Sequence, residues 1–447
     1  MGGPGPRSRF ETLSGDRGSV LRGWLLEYVV PIRRFLPSYC IRAQTLVLRL
    51  LALAPLLLMV QSAAAQTFVT LYSFNSASGA PLVDGGEPQD AVVRDAAGNL
   101  YGTTFFGGTG TGCDVFYFGC GLVFKIDSSG TETVLHSFGG SQDGWNPKGT
   151  LVLDAAGNLY GTTALGGAHG FGVVFKLDTA GNETILHDFA RGSDGANPNS
   201  GLVQDGAGNL YGTTQYGGRG DYGHGNGTVF EMSAAGQETV LYRFAGGPGG
   251  DSPMAGVVLD SSGNIYGTTW LGGLYGYGTV FQIDGSGHEK VLHSFAGGSD
   301  GANPLSGPVL DQAGILYGST SAGGPSGFGT IYSVDAAGNE STLYSFTGGT
   351  DGAYPYSNLI LDAAGNLYGT ASQGGCCGQG TVYEFSNGSL IALHGFSAAP
   401  SGTNSDGEFP EGGLIFDSAD NLYGTAAQAG VDAWGTVYEI QMASPTE

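Results

Sequence analysis

Residues 201–244 contain Gly201-Leu-Val-Gln-Asp205, Asn209-Leu-Tyr-Gly-Thr-Thr214, Gly227-Thr-Val-Phe-Glu-Met232 and Glu238-Thr-Val-Leu-Tyr-Arg-Phe244, four apolar runs separated by turns rich in Gly, Asn and Asp. Each run is about five or six residues long and rich in β-branched or aromatic residues, the mark of a strand. In the third, Phe230 and Met232 fall on one face while Val229 and Glu231 fall on the other, a period of two. The stretch therefore predicts a four-stranded antiparallel meander, its strands named here a to d.

The same unit recurs along the chain. Its central tyrosine stands at Tyr101, Tyr160, Tyr211, Tyr266, Tyr317, Tyr368 and Tyr423, in steps of 59, 51, 55, 51, 51 and 55 residues. A repeat of this length, made of short strands and glycine turns, predicts a β-propeller, whereas a helical solenoid shows apolar residues at helical spacing. The predicted fold is all-β, a seven-bladed β-propeller of four-stranded antiparallel blades. After Thr436-Val-Tyr-Glu-Ile440 the seventh unit has no strand d, but Phe68-Val-Thr-Leu-Tyr-Ser-Phe74 is a strand d without a blade. The N-terminal strand is thus expected to close the last blade, removing two open edges.

The turn from a to b is Asp-Ala-Ala-Gly-Asn at Asp95, Asp154 and Asp362, with close variants in the other units. An Asp that caps the turn backbone and a Gly free to take positive φ explain it without a ligand. Calcium is the minor alternative.

Composition bounds the rest. The 84 glycines of 447 residues recur at fixed offsets, and 41% hydrophobic residues suffice for a core, so disorder is excluded. Residues 1–65 read as a leader and export signal. Eight arginines precede the 11-residue apolar run Leu50–Val60, too short to span a bilayer, and Ala63-Ala64-Ala65 fits a cleavage site near Ala65. A secreted or periplasmic protein is expected, with a propeller over 66–441 and a tail at 442–447. Beyond the leader, 8 Lys or Arg face 36 Asp or Glu, which excludes nucleic acid and anionic membranes as partners. Export permits disulfides, so Cys113 and Cys120, in one loop, are a plausible staple. The adjacent Cys376 and Cys377 are either a strained ring or two free thiols.

Asn158-Leu-Tyr-Gly-Thr-Thr163, Gly166-Gly167, the Gly-Val-Val-Phe of residues 172–175, Leu186-His-Asp-Phe189 and Asp194-Gly-Ala-Asn-Pro198 closely resemble the GloVer tandem repeat. The resemblance covers residues 67–440 and implies an exported bacterial protein, often with a C-terminal anchor, but it implies no particular reaction. No apolar tail follows residue 440, so no membrane anchor is expected in the mature chain.

The search for chemistry mostly returns scaffolding. His136, His187, His293 and His394 occupy a strand d position that elsewhere holds Tyr72, Tyr242 and Tyr344, so they are expected to pack on separate blades and not to share a metal. His169, His224 and His288 stand singly in turns. Asp143, Asp194, Asp300, Asp351 and Asp406, with the looser Asp84 and Asp251, precede the next strand a and are expected to cap loops. No nucleophile triad, phosphate loop or zincin motif is present, and no catalytic residue or cofactor is expected.

One asymmetry remains after Thr-Thr at the start of the loop from b to c. The first four units carry Phe105/Phe106, Ala164/Leu165, Gln215/Tyr216 and Trp270/Leu271, and the last three carry small or polar pairs. Loops from b to c and from d to a leave the same end of a blade, so Trp145, Tyr275 and Tyr277 are expected to join this face. Exposed aromatics among few charges suit stacking on sugar rings or contact with protein; packing between blades is the competing reading. The expected function is a non-catalytic, monomeric binding module for an extracellular glycan or protein. The alternatives are a propeller enzyme of lyase, hydrolase or lactonase type with a metal in the central channel, and a structural envelope protein.

Overall fold

The computed structural model describes residues 66–75, 82–110, 112–113, 118–139, 142–218 and 225–442. The leader, its cleavage site, His224 and the last five residues of the tail lie outside this set.

Among the described residues there are seven four-stranded antiparallel sheets, arranged as the blades of a propeller. Six are consecutive meanders. In the seventh, Thr67–Ser73 pairs with Thr436–Gln441, with Phe68 opposite Ile440 and Ser73 opposite Thr436. The two ends of the propeller share one sheet, so the ring has no free seam. The short 3-10 turn Gly247–Gly249 is the one helical element described.

The ring follows from two local facts about the repeat. Gly102 of strand b faces Phe124 of strand c in register, and a Cβ there would lie 2.6 Å from the Phe124 ring. The absent side chain seats that ring across the sheet, and Gly161, Gly212, Gly267, Gly318, Gly369 and Gly424 do the same for their partners. The buried strand c ring then receives the last aromatic of the preceding blade edge-on. Phe138 meets Phe175 at 5.2 Å, Phe189 meets Phe230 at 5.3 Å and Phe346 meets Tyr383 at 5.3 Å. Seven apolar clusters result, each drawn from two successive blades, including one that joins Phe74 and Val437 to Leu100 and Phe124 across the closure. The core is thus distributed between blades.

The inner strand differs from expectation. Six of the seven a strands keep two residues, such as Val203–Gln204, and only that of blade two is long, Trp145–Leu153. Around the axis, backbone acceptors are taken by the neighbouring blade: Thr213 donates to the Ala255 carbonyl at 3.0 Å and Thr425 to the Asp90 carbonyl at 2.9 Å. Bonds between blades thereby replace part of the ladder within each blade.

The a-to-b aspartates act within their own turns. Asp154 Oδ1 accepts from the amides of Ala156 and Asn158, and Oδ2 accepts from Asn158 Nδ2 and the Tyr160 hydroxyl. Asp95, Asp205, Asp260, Asp362 and Asp417 repeat all four bonds, and Asp311 repeats three. This network fixes the tyrosine of every unit.

Candidate functional site

The loops from b to c and from d to a are joined by short bridges, Gly86 with Phe106, Ala196 with Tyr216 and Asp251 with Leu271, which places both sets on one face. A residue in the left-handed region ahead of each proline locks the junction. Asn146, at φ 52°, is one of these, and its Nδ2 donates to the Phe105 carbonyl at 3.0 Å. Asn tolerates that backbone because its short amide finds a local partner. Asn197 and Asn303 act likewise on Ala164 and Trp270.

On this face the aromatics of blades seven and one form a continuous ladder. Phe105 and Phe106 meet edge-on at 4.8 Å, Phe106 lies 5.8 Å from Phe118, and Phe118 lies 5.4 Å from Trp434. Phe118 is 40% exposed. Lys148 Nζ sits 5.2 Å over the Phe105 ring. Lys148 also acts on Glu87, Asp90 and Glu411, whose carboxyls burial pushes above the ordinary range while the ammonium pulls them down. The ladder therefore lies beside a group of carboxylates, reached from Phe105 through Lys148 and from Trp434 through Glu87, whose amide donates to the Trp434 carbonyl at 2.9 Å.

A disulfide closes the loop that carries Phe118. Cys113 is joined to Cys120, which is fully buried, and Phe118 lies between them in sequence. Trp145 packs beside this pair and is partly buried in the cluster between blades one and two. Tyr216 and Trp270 are partly buried at their own loop junctions, where the Trp270 amide donates to the Ser252 carbonyl. Tyr275 and Tyr277 are 61% and 44% exposed and form a second apolar point with Leu274, on blade four. Tyr275 borders a groove of about 690 Å³ lined also by Pro248, Glu289, His293 and Asp300. The seven aromatics singled out from sequence thus divide among four settings. Phe118 and Trp434 were missed, and the available signal was that ring closure makes blades seven and one neighbours.

Cys376 and Cys377 are free, exposed thiols with sulfurs 2.9 Å apart. The strand d histidines and the d-to-a aspartates prove to be partners. His187 Nε2 lies 3.0 Å from Asp194, His394 Nε2 lies 3.0 Å from Asp406, and the Tyr344 hydroxyl donates to Asp351 at 3.0 Å. The same aspartates accept from loop amides such as Ala190 and Ser397, so they cap their loops as well. Among the described residues, three His, Cys, Asp or Glu ligand atoms come within 4.8 Å of one another only on this outer rim, and Glu87, Asp90 and Glu411 do not converge in that way.

Known structures that align with this fold do so at low sequence identity. The extracellular domain of a proposed hybrid two-component system of B. thetaiotaomicron aligns with a TM-score of 0.53 at 11% identity, over 83% of this chain. This chain spans only 39% of that structure's length. A proposed 6-phosphogluconolactonase of Bacteroides uniformis aligns with a TM-score of 0.46 at 17% identity, over 76% of this chain and 90% of its own. No curated protein matches. The profile of the Gloeobacter/Verrucomicrobia repeat matches residues 59–273 and again 253–447, and with both halves of the propeller covered, the chain belongs to the Gloeobacter/Verrucomicrobia repeat family.

Proposed function

We propose that this chain is an exported, non-catalytic propeller that binds an extracellular glycan along the ladder of blades seven and one. The observation that carries the reading is the continuity of Phe105, Phe106, Phe118 and Trp434, with a group of carboxylates beside it. Sugar rings offer apolar C–H faces to aromatic planes and hydroxyls that donate to carboxylates, so one ligand chain satisfies both kinds of group. The basic, apolar leader ending in Ala63-Ala64-Ala65 supports export.

The test is a glycan array probed with the mature chain, followed by calorimetry on the best hit. Phe118→Ala and Phe106→Ala each lose at least about tenfold in affinity, the scale of about 1.4 kcal/mol for one stacking contact. Their unfolding midpoints stay within a few degrees of the parent. An array without signal, or binding that survives both substitutions unchanged, overturns the reading.

A further inference from the structure

The outer rim holds chemistry that the aromatic face does not use. At the boundary of blades one and two, His136 ends a strand d, Asp143 follows in the next loop, and Glu183 opens strand d of the neighbouring blade. His136 Nε2 lies 3.5 Å from Asp143 Oδ2 and 3.8 Å from Glu183 Oε2. Both separations exceed a good hydrogen bond, and His136 Nε2 is a buried atom with no hydrogen-bond partner, as are Oε1 of Glu183 and of the matching Glu132, Glu238 and Glu289. A buried polar atom left in this way requires an explanation. Around a tetrahedral cation with bonds of about 2.1 Å, ligand atoms stand about 3.4 Å apart, close to the spacing seen.

The other boundaries serve as comparisons within one molecule. Between blades two and three, His187, Asp194 and Glu238 repeat the set, but His187 Nε2 is at 3.0 Å from Asp194, a hydrogen-bond distance. Between four and five, Glu340 accepts from Thr342 Oγ1 at 3.0 Å. Between six and seven, Phe68 stacks on His394 at 3.8 Å, and no carboxylate replaces it on that strand. At Tyr72 and Tyr344 a phenol donates to the loop Asp. The scaffold therefore accepts His or Tyr, and Glu or an apolar residue, at these positions.

We propose that the rim between blades one and two is a binding site for a divalent transition cation of the zinc type, held by His136 Nε2, Asp143 and Glu183, with a fourth position open to solvent. One imidazole nitrogen and two carboxylates favour zinc, manganese or iron over calcium and magnesium, which prefer oxygen alone. Because its ligands come from two blades, the cation ties the first blade to the second.

The experiment uses the mature chain, stripped with chelator and dialysed against zinc chloride, with bound zinc measured by elemental analysis and the unfolding midpoint recorded with and without zinc. His136→Tyr copies the residue found at Tyr72 and Tyr344, and Glu183→Leu copies Leu390 at the same place in blade six, so both variants retain packing that sister blades already use. Each is expected to bind one zinc fewer per chain, with affinity at that site reduced by more than about 100-fold, beyond the usual effect of losing an outer partner. Each also loses the zinc-dependent rise in midpoint while keeping the metal-free one. His394→Tyr leaves zinc uptake unchanged. Absence of zinc uptake by the intact chain, or equal uptake by His136→Tyr, Glu183→Leu and the parent, overturns the proposal.

Discussion

Phe74 lies edge-on against Phe124 with ring centroids 5.2 Å apart, so the first described strand, although it belongs to blade seven, packs directly on blade one. The same contact joins Phe396 to Tyr438 at 5.5 Å and Phe244 to Phe281 at 5.1 Å. Each blade thus contributes one ring to the next, and the chain termini are part of that cycle.

Removing residues 67–74 is expected to destabilise the whole propeller in one cooperative step, since it exposes an edge of blade seven and strips the face of blade one. Phe74→Ala alone costs about 3–5 kcal/mol, as for a fully buried aromatic. Chemical denaturation of both variants measures this; a truncated chain that melts like the parent overturns the clasp.

Gly267→Ala is expected to cost about 1–3 kcal/mol by overpacking, because its Cβ would lie 2.5 Å from the Phe281 ring. Phe281→Leu in the same chain recovers part of the loss. A denaturant series on the two single variants and the double variant reads the coupling directly. Additive costs would show that the glycine does not seat the ring.

Stability is expected to fall as pH rises through the near-neutral range. Burial, with the Asp84 carboxylate nearby, pushes the Glu132 carboxyl up to about 7 from an ordinary 4.5. The folded state holds that proton more tightly than the unfolded one, so the contribution is complete below pH 4.5 and is lost as pH passes 7. Glu132 is only half-buried, and solvent screening reduces the change to about 1 kcal/mol. Unfolding free energies at pH 4.5 and 8 should differ by this amount in the parent and by much less in Glu132→Gln.

Asp143, Asp194 and Asp406 act in the opposite sense. Burial opposes their charge, but the nearby histidines and hydrogen bonds from loop amides outweigh it and hold their carboxyls below the ordinary 3.8. Their contribution is present above that pH and is lost as pH falls below it. Acid titration of Asp194→Asn should show a shallower loss of stability than the parent.

Reduction of the Cys113–Cys120 bond should weaken glycan binding more than it lowers stability, because the bond closes the loop that carries Phe118. Trp145→Ala should do the reverse, since its ring sits in the cluster between blades one and two. Calorimetry and thermal melts run together separate these effects. Equal losses in both readouts for both changes would remove the distinction.

Read alone, the sequence determined the ring: seven units, four strands in each, and a first strand that completes the last blade. It could do so because strand periodicity and turn chemistry are local properties repeated at a fixed spacing. The tertiary structure alone decided which aromatics meet. Trp434 and Phe118 lie more than three hundred residues apart and become neighbours through ring closure, while Trp145 turns into an interface between blades. It also paired His136 with Asp143 and with Glu183 of the next blade, a relation set by how two sheets pack side by side. The repeat supplies these residue types at fixed places, but which of them meet is decided by the packing of two neighbouring blades, which no single repeat contains.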